Sequence, residues 1–318
     1  MGTPTKSKIP ITAKAFEKSK SLWHLRSTIL YCHKVVRLDT TRTAKMNSLY
    51  EITNGLLSEM VKENHMELSK YLKPQACKTL NEVYEQALSS LCNRQGMRNN
   101  IQFERTTQLK IEKGSTQLKE KIQKRSTELR EILFDFDPVK VIEQYGKILE
   151  SPSLIAAFNK KLSLETKIDS QKKNGQWVMF GKGAISAAIF LSKFQDKNEF
   201  DVFVKGFQRN KYSREALPML LHREILGFGF ALACDFLKEA GYDGYPKPDI
   251  HLMDVFEKSG LCERNDYQVF KSIIEVAEAV GKTPYEVDKR IWLVCTGNFY
   301  YDKKVADKKK ELMQRLTE

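Results

Sequence analysis

Helical spacing of apolar residues runs through most of the chain and limits its fold more than any other sequence feature. Within residues 44–93 and 101–134, apolar side chains recur every three or four positions, a spacing typical of helices with one buried face. We find no internal repeat and no alternating stretch long enough to predict a β-strand. The sequence therefore predicts an all-α fold.

The two halves of the chain differ in the length and composition of their helical segments. Segments before residue 148 are long and charged, whereas those after residue 149 are shorter, more apolar and separated by Gly and Pro. We therefore predict a basic helical N-terminal domain over 1–148 and a second helical domain over 149–318. The helices predicted in the second domain are 153–166, 183–195, 198–208, 214–223, 230–241, 249–258, 266–280 and 284–297.

The predicted N-terminal domain contains four recognisable helical segments after its basic start. Two helices lie within 44–93 and are separated near Pro74. An amphipathic stretch covers 101–134, with a break expected near Gly114, and a further helix runs from Pro138 to Glu150. These segments predict helices but no particular function for this half.

Positive charge is concentrated at the start of the chain. The sequence has 53 Lys and Arg against 40 Asp and Glu, a net charge of +13, and residues 1–45 alone hold ten basic and two acidic residues. This balance favours polyanionic partners, with nucleic acid ahead of an anionic membrane. Residues 13–36 have helical spacing and form either a phosphate-contacting surface or an ordinary solvated helix face. A membrane-surface protein is disfavoured, because only this segment could lie on a bilayer.

Several classes of protein are disfavoured by what the sequence lacks. The longest apolar run, 184–191, contains Ser186 and is far shorter than the roughly 20 residues of a membrane span. The polar, basic start lacks an apolar signal segment, so we expect a cytoplasmic protein. Six cysteines lie far apart without a C-x-x-C pair, which predicts free thiols, no metal and no cofactor. No Ser or Thr follows Lys182 in its Gly-Lys-Gly sequence, so we expect no nucleotide triphosphate partner.

A glycine-containing turn is the most informative short motif. Gly227-Phe228-Gly229 separates two helical segments, and glycines permit positive φ and a close approach of the backbone. The helix predicted to follow begins with unpaired N–H groups, which attract an anion such as a phosphate. Taken alone, the same turn is more typical of a tight connection between two helices.

The residues around this turn carry a resemblance to a known family. Ile225 to Ala233 read apolar-x-Gly-apolar-Gly-x-x-x-Ala, and Asp249 stands 18 residues after Ala231, followed by His251. In these positions the chain resembles the helix-hairpin-helix (HhH-GPD-like) DNA glycosylase superfamily, in which an essential aspartate follows the hairpin as Asp-x-His. The resemblance is good over 225–255, is loose over 150–300 and does not extend to the first 145 residues.

The resemblance implies a reaction and a role for Asp249. DNA glycosylases move the target base out of the stack and cleave its N-glycosidic bond through an oxocarbenium-like state at the sugar. A carboxylate beside the sugar stabilises that positive charge and guides the attacking water. Asp249 also follows Pro248, where it could act only as the N-cap of the next helix. The two roles are compatible.

The resemblance also implies the other site residues. Four hairpin residues are expected to hold a DNA backbone phosphate: Gly227, Gly229, Phe230 and Ala231. Lys247 is expected to contact a phosphate as well. Four further side chains could line a base pocket or stack on DNA: Trp177, Tyr242, Tyr245 and His251. For His251 a structural role beside Asp249 is the main alternative, and for Trp177 it is packing in the core.

One departure from the family pattern bears on the reaction type. Bifunctional members carry a lysine in the hairpin that forms a Schiff base with the sugar, and Ala231 stands at that position. We therefore expect a monofunctional enzyme in which water attacks and an abasic site remains. The four-cysteine cluster of some family members is absent, so we expect no iron–sulfur cluster. We also expect a monomer. Lys247, two residues before Asp249, could complicate this.

The sequence leaves the substrate and one rival function open. Repair of alkylated or oxidised bases is the first expectation, and excision of a bulky modified base from viral DNA, as a defence, is the second. The rival function is a helix-hairpin-helix module that binds DNA without excising a base. A cavity beside Asp249 wide enough for a base is the feature expected to distinguish a catalytic protein.

Overall fold

The computed structural model describes residues 40–94, 97, 101, 116–150 and 152–318. Apart from one short antiparallel ribbon, the regular secondary structure in these ranges is helical, so the predicted all-α fold is confirmed. The predicted helical segment 13–36 and the predicted break at Gly114 lie outside the described residues. None of the helices within the described ranges is both long and apolar enough to cross a bilayer.

The elements follow one another along the chain with short connections. Helix α1 covers residues 40–64. It is followed by a 3-10 helix at Ser69–Tyr71, by α2 (Leu80–Cys92), α3 (Thr116–Ile132), a second 3-10 helix at Phe134–Phe136, α4 (Pro138–Tyr145) and α5 (Pro152–Lys161). The rest of the chain forms α6 (Gln176–Leu191), α7 (Lys197–Phe207), α8 (Lys211–Glu224), α9 (Phe230–Glu239), α10 (Ile250–Lys258), α11 (Asp266–Val280), α12 (Pro284–Thr296), β1 (Asn298–Phe299), β2 (Lys303–Lys304) and α13 (Lys309–Arg315).

Local capping residues set many of the helix boundaries. At the start of α12, the Thr283 side chain accepts a hydrogen bond from the Glu286 N–H, and the Glu286 side chain accepts one from the Thr283 N–H. Pro284 occupies the first helical position, where its missing N–H costs nothing. Gly146, with φ +76°, ends α4 at Tyr145, five residues before the predicted end.

Helix α6 begins earlier than its glycines suggest. The predicted helix starts at residue 183, whereas α6 starts at Gln176 and includes Gly181 and Gly183. A Cβ at residue 183 would lie 2.8 Å from the Leu226 carbonyl oxygen and 2.7 Å from Leu91 Cδ1. The glycine is therefore needed for close packing, and burial of most of α6 offsets its low helix propensity.

Within the described ranges, buried apolar side chains form two clusters whose members come from different parts of the chain. The first consists of residues between 77 and 245 together with Phe270 and Ile274. The second combines residues 46–71 with residues 252–312. The predicted boundary between residues 148 and 149 does not coincide with this division, because buried side chains on both sides of it belong to the first cluster. The chain returns to the second cluster between residues 245 and 252, and Asp249 lies in that segment.

Candidate active site

Helices α8 and α9 form a hairpin with two glycines, which differ in backbone conformation and in the space around them. Gly227 has φ +91°, a region that favours glycine, and a Cβ there would lie 3.2 Å from Leu91 Cδ2. Gly229 has φ −98° and ψ 175°, which any residue adopts, and a Cβ there would meet nothing within 4 Å. Gly227 is thus required by the turn itself, whereas Gly229 leaves the outer face of the turn open.

Side chains from neighbouring elements hold the turn in place. The Leu226 N–H donates to Ser186 Oγ at 2.8 Å, so helix α6 is bonded to the turn. His222 Nδ1 lies 2.6 Å from the Phe228 carbonyl oxygen, and the nitrogen must donate because a carbonyl only accepts. These two bonds, with the close approach at Gly183, make the turn a preorganised platform.

An open cavity of about 470 Å³ lies against the turn and the first residues of α9. Its lining residues are Arg94, Met179, Gly227, Phe228, Gly229, Phe230, Ala231, Leu232 and Asp266. Among the described residues, no side chain caps the start of α9. The helix dipole and the Arg94 guanidinium favour an anion there, and Asp266 opposes it. The cavity suits a phosphate of an extended backbone.

Four of the five predicted DNA-binding residues come together at this cavity, namely Gly227, Gly229, Phe230 and Ala231. Outside the hairpin segment, sequence reasoning missed three lining residues, which are Arg94 just beyond α2, Met179 in α6 and Asp266 at the start of α11. They are far apart in the sequence, and no spacing pattern links them to the hairpin. Only the packing of α2, α6 and α11 around the turn identifies them.

Gly229→Val is expected to weaken DNA binding more than folding. A valine side chain would project into the open face, where a phosphate would approach, while the backbone there tolerates it. We expect DNA affinity to fall by about tenfold or more, against about 1 kcal/mol of stability lost at the N-cap. Anisotropy titration of a labelled duplex and thermal unfolding measure the two effects.

Gly227→Val is the matched control, because it places the same side chain on a backbone with φ +91°. The strain of about 1–3 kcal/mol should lower stability as well as binding. Wild-type DNA affinity in Gly229→Val would show that the open face of the turn does not contact DNA.

Asp249 occupies the N-cap position of α10, as its place after Pro248 suggests. Its Oδ1 atom accepts hydrogen bonds from the His251 N–H at 2.9 Å and the Leu252 N–H at 3.1 Å. Both bonds use one carboxylate oxygen, so Oδ2 is left out of the cap. The side chain is partly exposed. This geometry fixes the orientation of the carboxylate and leaves one oxygen for another partner.

The hairpin cavity does not extend to Asp249, which is not among its lining residues. A cavity beside Asp249 is the feature that we expect of a catalytic protein, and this one lies against the turn instead. The hairpin cavity is therefore not that feature. The catalytic role of Asp249 stays a prediction.

Two predicted base-pocket residues, Tyr242 and Tyr245, lie in the first hydrophobic cluster. Tyr242 is 7% exposed, and its hydroxyl donates to Asp201 Oδ1 at 2.7 Å and accepts from Lys197 Nζ at 3.2 Å. Tyr245 is fully buried, with its ring 6.5 Å from that of Phe270. A base could stack on either ring only if the loop between α9 and α10 moved, so that role stays a prediction.

The other two base-pocket candidates lie in different places. Trp177 is partly buried in α6, and its ring packs against Phe158 at 5.5 Å and Phe180 at 5.9 Å between centroids. His251 is adjacent to Asp249 and partly exposed, with Nδ1 3.4 Å from Lys309 Nζ. Of the four candidates, His251 is the one that the structure places beside Asp249.

Lys247 lies in a network of buried charges. Its Nζ is 3.0 Å from Asp235 Oδ1, and the Asn93 side chain donates to Asp235 Oδ2 at 2.8 Å. Burial alone would raise the pKa of Asp235, but the ammonium groups of Lys247 and Lys238 outweigh it and lower that pKa below its usual range. The structure thus gives Lys247 a carboxylate partner, and its predicted phosphate contact stays a prediction.

Comparison with known proteins links the chain to a DNA glycosylase. It is 31% identical over 109 residues to the 8-oxoguanine DNA glycosylase/AP lyase of Methanocaldococcus jannaschii, over 32% of this chain and 50% of the relative. The chain thus spans about half the length of the curated relative that it matches. No family model matches the chain, and no solved structure matches it. This similarity supports a relationship to the helix-hairpin-helix DNA glycosylases.

Proposed function

We propose that this protein is a DNA glycosylase that flips a modified or damaged base out of DNA and hydrolyses its N-glycosidic bond, leaving an abasic site. The observation that carries the proposal is that helix α9 begins at the open hairpin turn and also anchors the segment of the partly exposed Asp249, because Lys247 of that segment pairs with Asp235 of α9. The similarity to an 8-oxoguanine DNA glycosylase/AP lyase supports it.

The hairpin would hold the DNA backbone next to the target nucleotide. The first N–H groups of α9 receive no cap from a side chain in the described part of the protein, and the open face at Gly229 gives a phosphate room to approach them. Arg94 adds a positive charge at the same cavity. Contacts of this kind set the position of the protein on DNA and carry no base specificity. Specificity must come from the pocket that receives the flipped base.

Asp249 would stabilise the positive charge that develops on the sugar. Its Oδ1 is held by two backbone N–H groups, so the carboxylate does not need to reorient as the reaction proceeds. Its other oxygen can face the sugar or bind the attacking water. Water attack at the anomeric carbon breaks the bond to the base, the base leaves with the bonding electrons, and the proton lost by the water passes to the carboxylate.

Water is the proposed nucleophile because the hairpin carries no amine at the expected place. Ala231 lines the hairpin cavity where bifunctional relatives have lysine. The nearest lysine in sequence to Asp249, Lys247, is held in an ion pair with Asp235. The proposed enzyme is therefore monofunctional and uses neither metal nor cofactor. Its substrate is a damaged base in repair or, as a second possibility, a bulky modified base in viral DNA.

The alternative function is DNA binding without catalysis. The observation that favours it is that Asp249 already caps α10 and does not line the cavity at the hairpin. A capping aspartate alone would leave the hairpin as a phosphate-binding module.

An excision assay separates the two functions. The wild-type protein is incubated with duplex and single-stranded DNAs that each carry one alkylated, oxidised or bulky modified base, and alkali then cleaves any abasic site. We expect alkali-dependent cleavage with at least one DNA in the panel. Binding to every DNA without cleavage of any would favour the non-catalytic module.

A further inference from the structure

Lys247, two residues before Asp249, is connected to helix α9 through both its side chain and its backbone. The ammonium group pairs with Asp235 of α9 at 3.0 Å. The backbone N–H donates to Asp288 Oδ2 at 2.5 Å, and Asp288 in turn pairs with Lys238 of α9 at 3.1 Å. These contacts form a closed ring between α9, α12 and the segment that carries Asp249. Its members are the Lys247 backbone and the side chains of Lys247, Asp235, Lys238 and Asp288.

The ion pair between Asp288 and Lys238 is the most buried part of this ring. The side chains of Asp288 and Lys238 are 1% and 5% exposed, so water does not compete for either charge. Replacing a buried ion pair with apolar residues is often neutral for stability. The pair is therefore better explained by the geometry that it imposes on Lys247 than by stability.

The position of the Lys247 backbone fixes that of Asp249, because the segment between them is short and stiff. The Asp249 N–H donates to the Lys247 carbonyl oxygen at 2.8 Å, and Pro248 between them has a restricted φ. Helix α9 begins directly after Gly229, and Asp235 lies six residues, or about 9 Å, further along its axis. The same helix thus presents the hairpin turn at one end and anchors the Asp249 segment further along.

We propose that Asp288 is a positioning residue for Asp249. Together with Lys238 it holds the Lys247 backbone against α9, so the Asp249 carboxylate stays at a set distance from the turn that binds the DNA backbone. This inference rests on the proposed function, because the distance matters only if Asp249 acts on a nucleotide held by the hairpin. A displacement of about 1 Å at a reacting group lowers a rate by up to about 100-fold.

Substitutions of Asp288 test the proposal through the rate of excision. Asp288→Ala removes the acceptor for the Lys247 N–H, and we expect the single-turnover rate at saturating protein to fall about 10- to 100-fold while DNA affinity stays within about threefold. Asp288→Asn keeps an acceptor oxygen, and it should restore the rate to within about fivefold of wild type. An unchanged rate in folded Asp288→Ala would overturn the proposal.

Asp302→Ala is the matched control for loss of a bonded carboxylate. Asp302 accepts from Lys70 Nζ at 2.7 Å and from the Tyr71 hydroxyl at 3.0 Å, so it also has two donors, but it lies near the ribbon. We expect this variant to excise at the wild-type rate. A loss equal to that of Asp288→Ala would show that any destabilised carboxylate site lowers activity, and would overturn the proposal.

A variant of the whole pair covers the case in which Asp288→Ala does not fold. Asp288→Leu combined with Lys238→Met replaces both charges with apolar groups of similar size, which buried sites tolerate well. It also removes the acceptor for Lys247, so we expect the same loss of rate as in Asp288→Ala. Excision at the wild-type rate by this folded double variant would overturn the proposal.

Amide hydrogen exchange of the free protein gives a readout that does not depend on activity. In Asp288→Ala the peptide that covers residues 246–252 should exchange at least about fivefold faster than in wild type, and in Asp302→Ala it should not. Unchanged exchange would overturn the positioning role even if excision were lost. If the wild-type protein excised no base, faster exchange in Asp288→Ala would still show that Asp288 holds this segment. That result would contradict the proposed function and not the positioning contact.

Discussion

Asp249→Asn should slow base excision about 100-fold or more while changing DNA affinity by no more than a few-fold. Asparagine retains an oxygen in the place of Oδ1 and is as good an N-cap as aspartate, so the bonds to His251 and Leu252 can persist. The substitution therefore removes the negative charge and leaves α10 intact. Single-turnover excision of the base identified in the panel measures the effect, and duplex binding is measured in parallel.

Asp137→Asn is a closely matched control for this substitution. Asp137 Oδ1 caps α4 and accepts from the Val139 N–H at 3.0 Å and the Lys140 N–H at 3.2 Å, the same pattern of two capping bonds. We expect this variant to excise at the wild-type rate. Near wild-type excision by Asp249→Asn would instead mean that the carboxylate is only a cap and that another group assists the reaction.

The second prediction concerns the product of the reaction and has an all-or-none result. Because Ala231 replaces the hairpin lysine and Lys247 is paired with Asp235, water should attack the sugar and no protein–DNA imine should form. Borohydride, which reduces an imine to a stable amine, should trap no covalent adduct during turnover. The product strand should remain intact until alkali is added.

Two variants make the trapping experiment decisive. Ala231→Lys places an amine at the cavity in the first turn of α9, where an adduct is expected if residue 231 reaches the sugar. Lys247→Ala removes the lysine nearest in sequence to Asp249. An adduct with the wild-type protein that disappears in Lys247→Ala would contradict water attack and identify Lys247 as the nucleophile.

Short-range signals explain why much of the fold follows from the sequence. The predicted bounds of α9 to α12 agree with the structure to within two residues, because caps such as Asp249 at α10, Asn265 at α11 and Thr283 at α12 act over three or four residues. The positive φ of Gly227 and the capping position of Asp249 are equally local. Helical spacing, capping residues and turn glycines carry this information because each depends on neighbouring residues alone.

Long-range packing decided the features that local patterns do not contain. Residues 46–71 and 252–312 share a hydrophobic cluster, and Arg94 and Asp266 meet at the hairpin cavity, although nothing in their sequence spacing links them. Position 183, inside helix α6, requires a glycine because the Leu226 carbonyl oxygen approaches it closely.

Tertiary structure also decided the surroundings of the candidate catalyst. Tyr242 and Tyr245, expected near a base, are buried in the first cluster because the aromatic core accommodates their rings. Lys247 meets Asp288 across 41 residues of sequence in a buried ring of charges. The sequence by itself determined which residues could form a phosphate-binding turn and a capping carboxylate. Only tertiary structure decided how they are joined, because burial and ion pairing depend on which helices pack together.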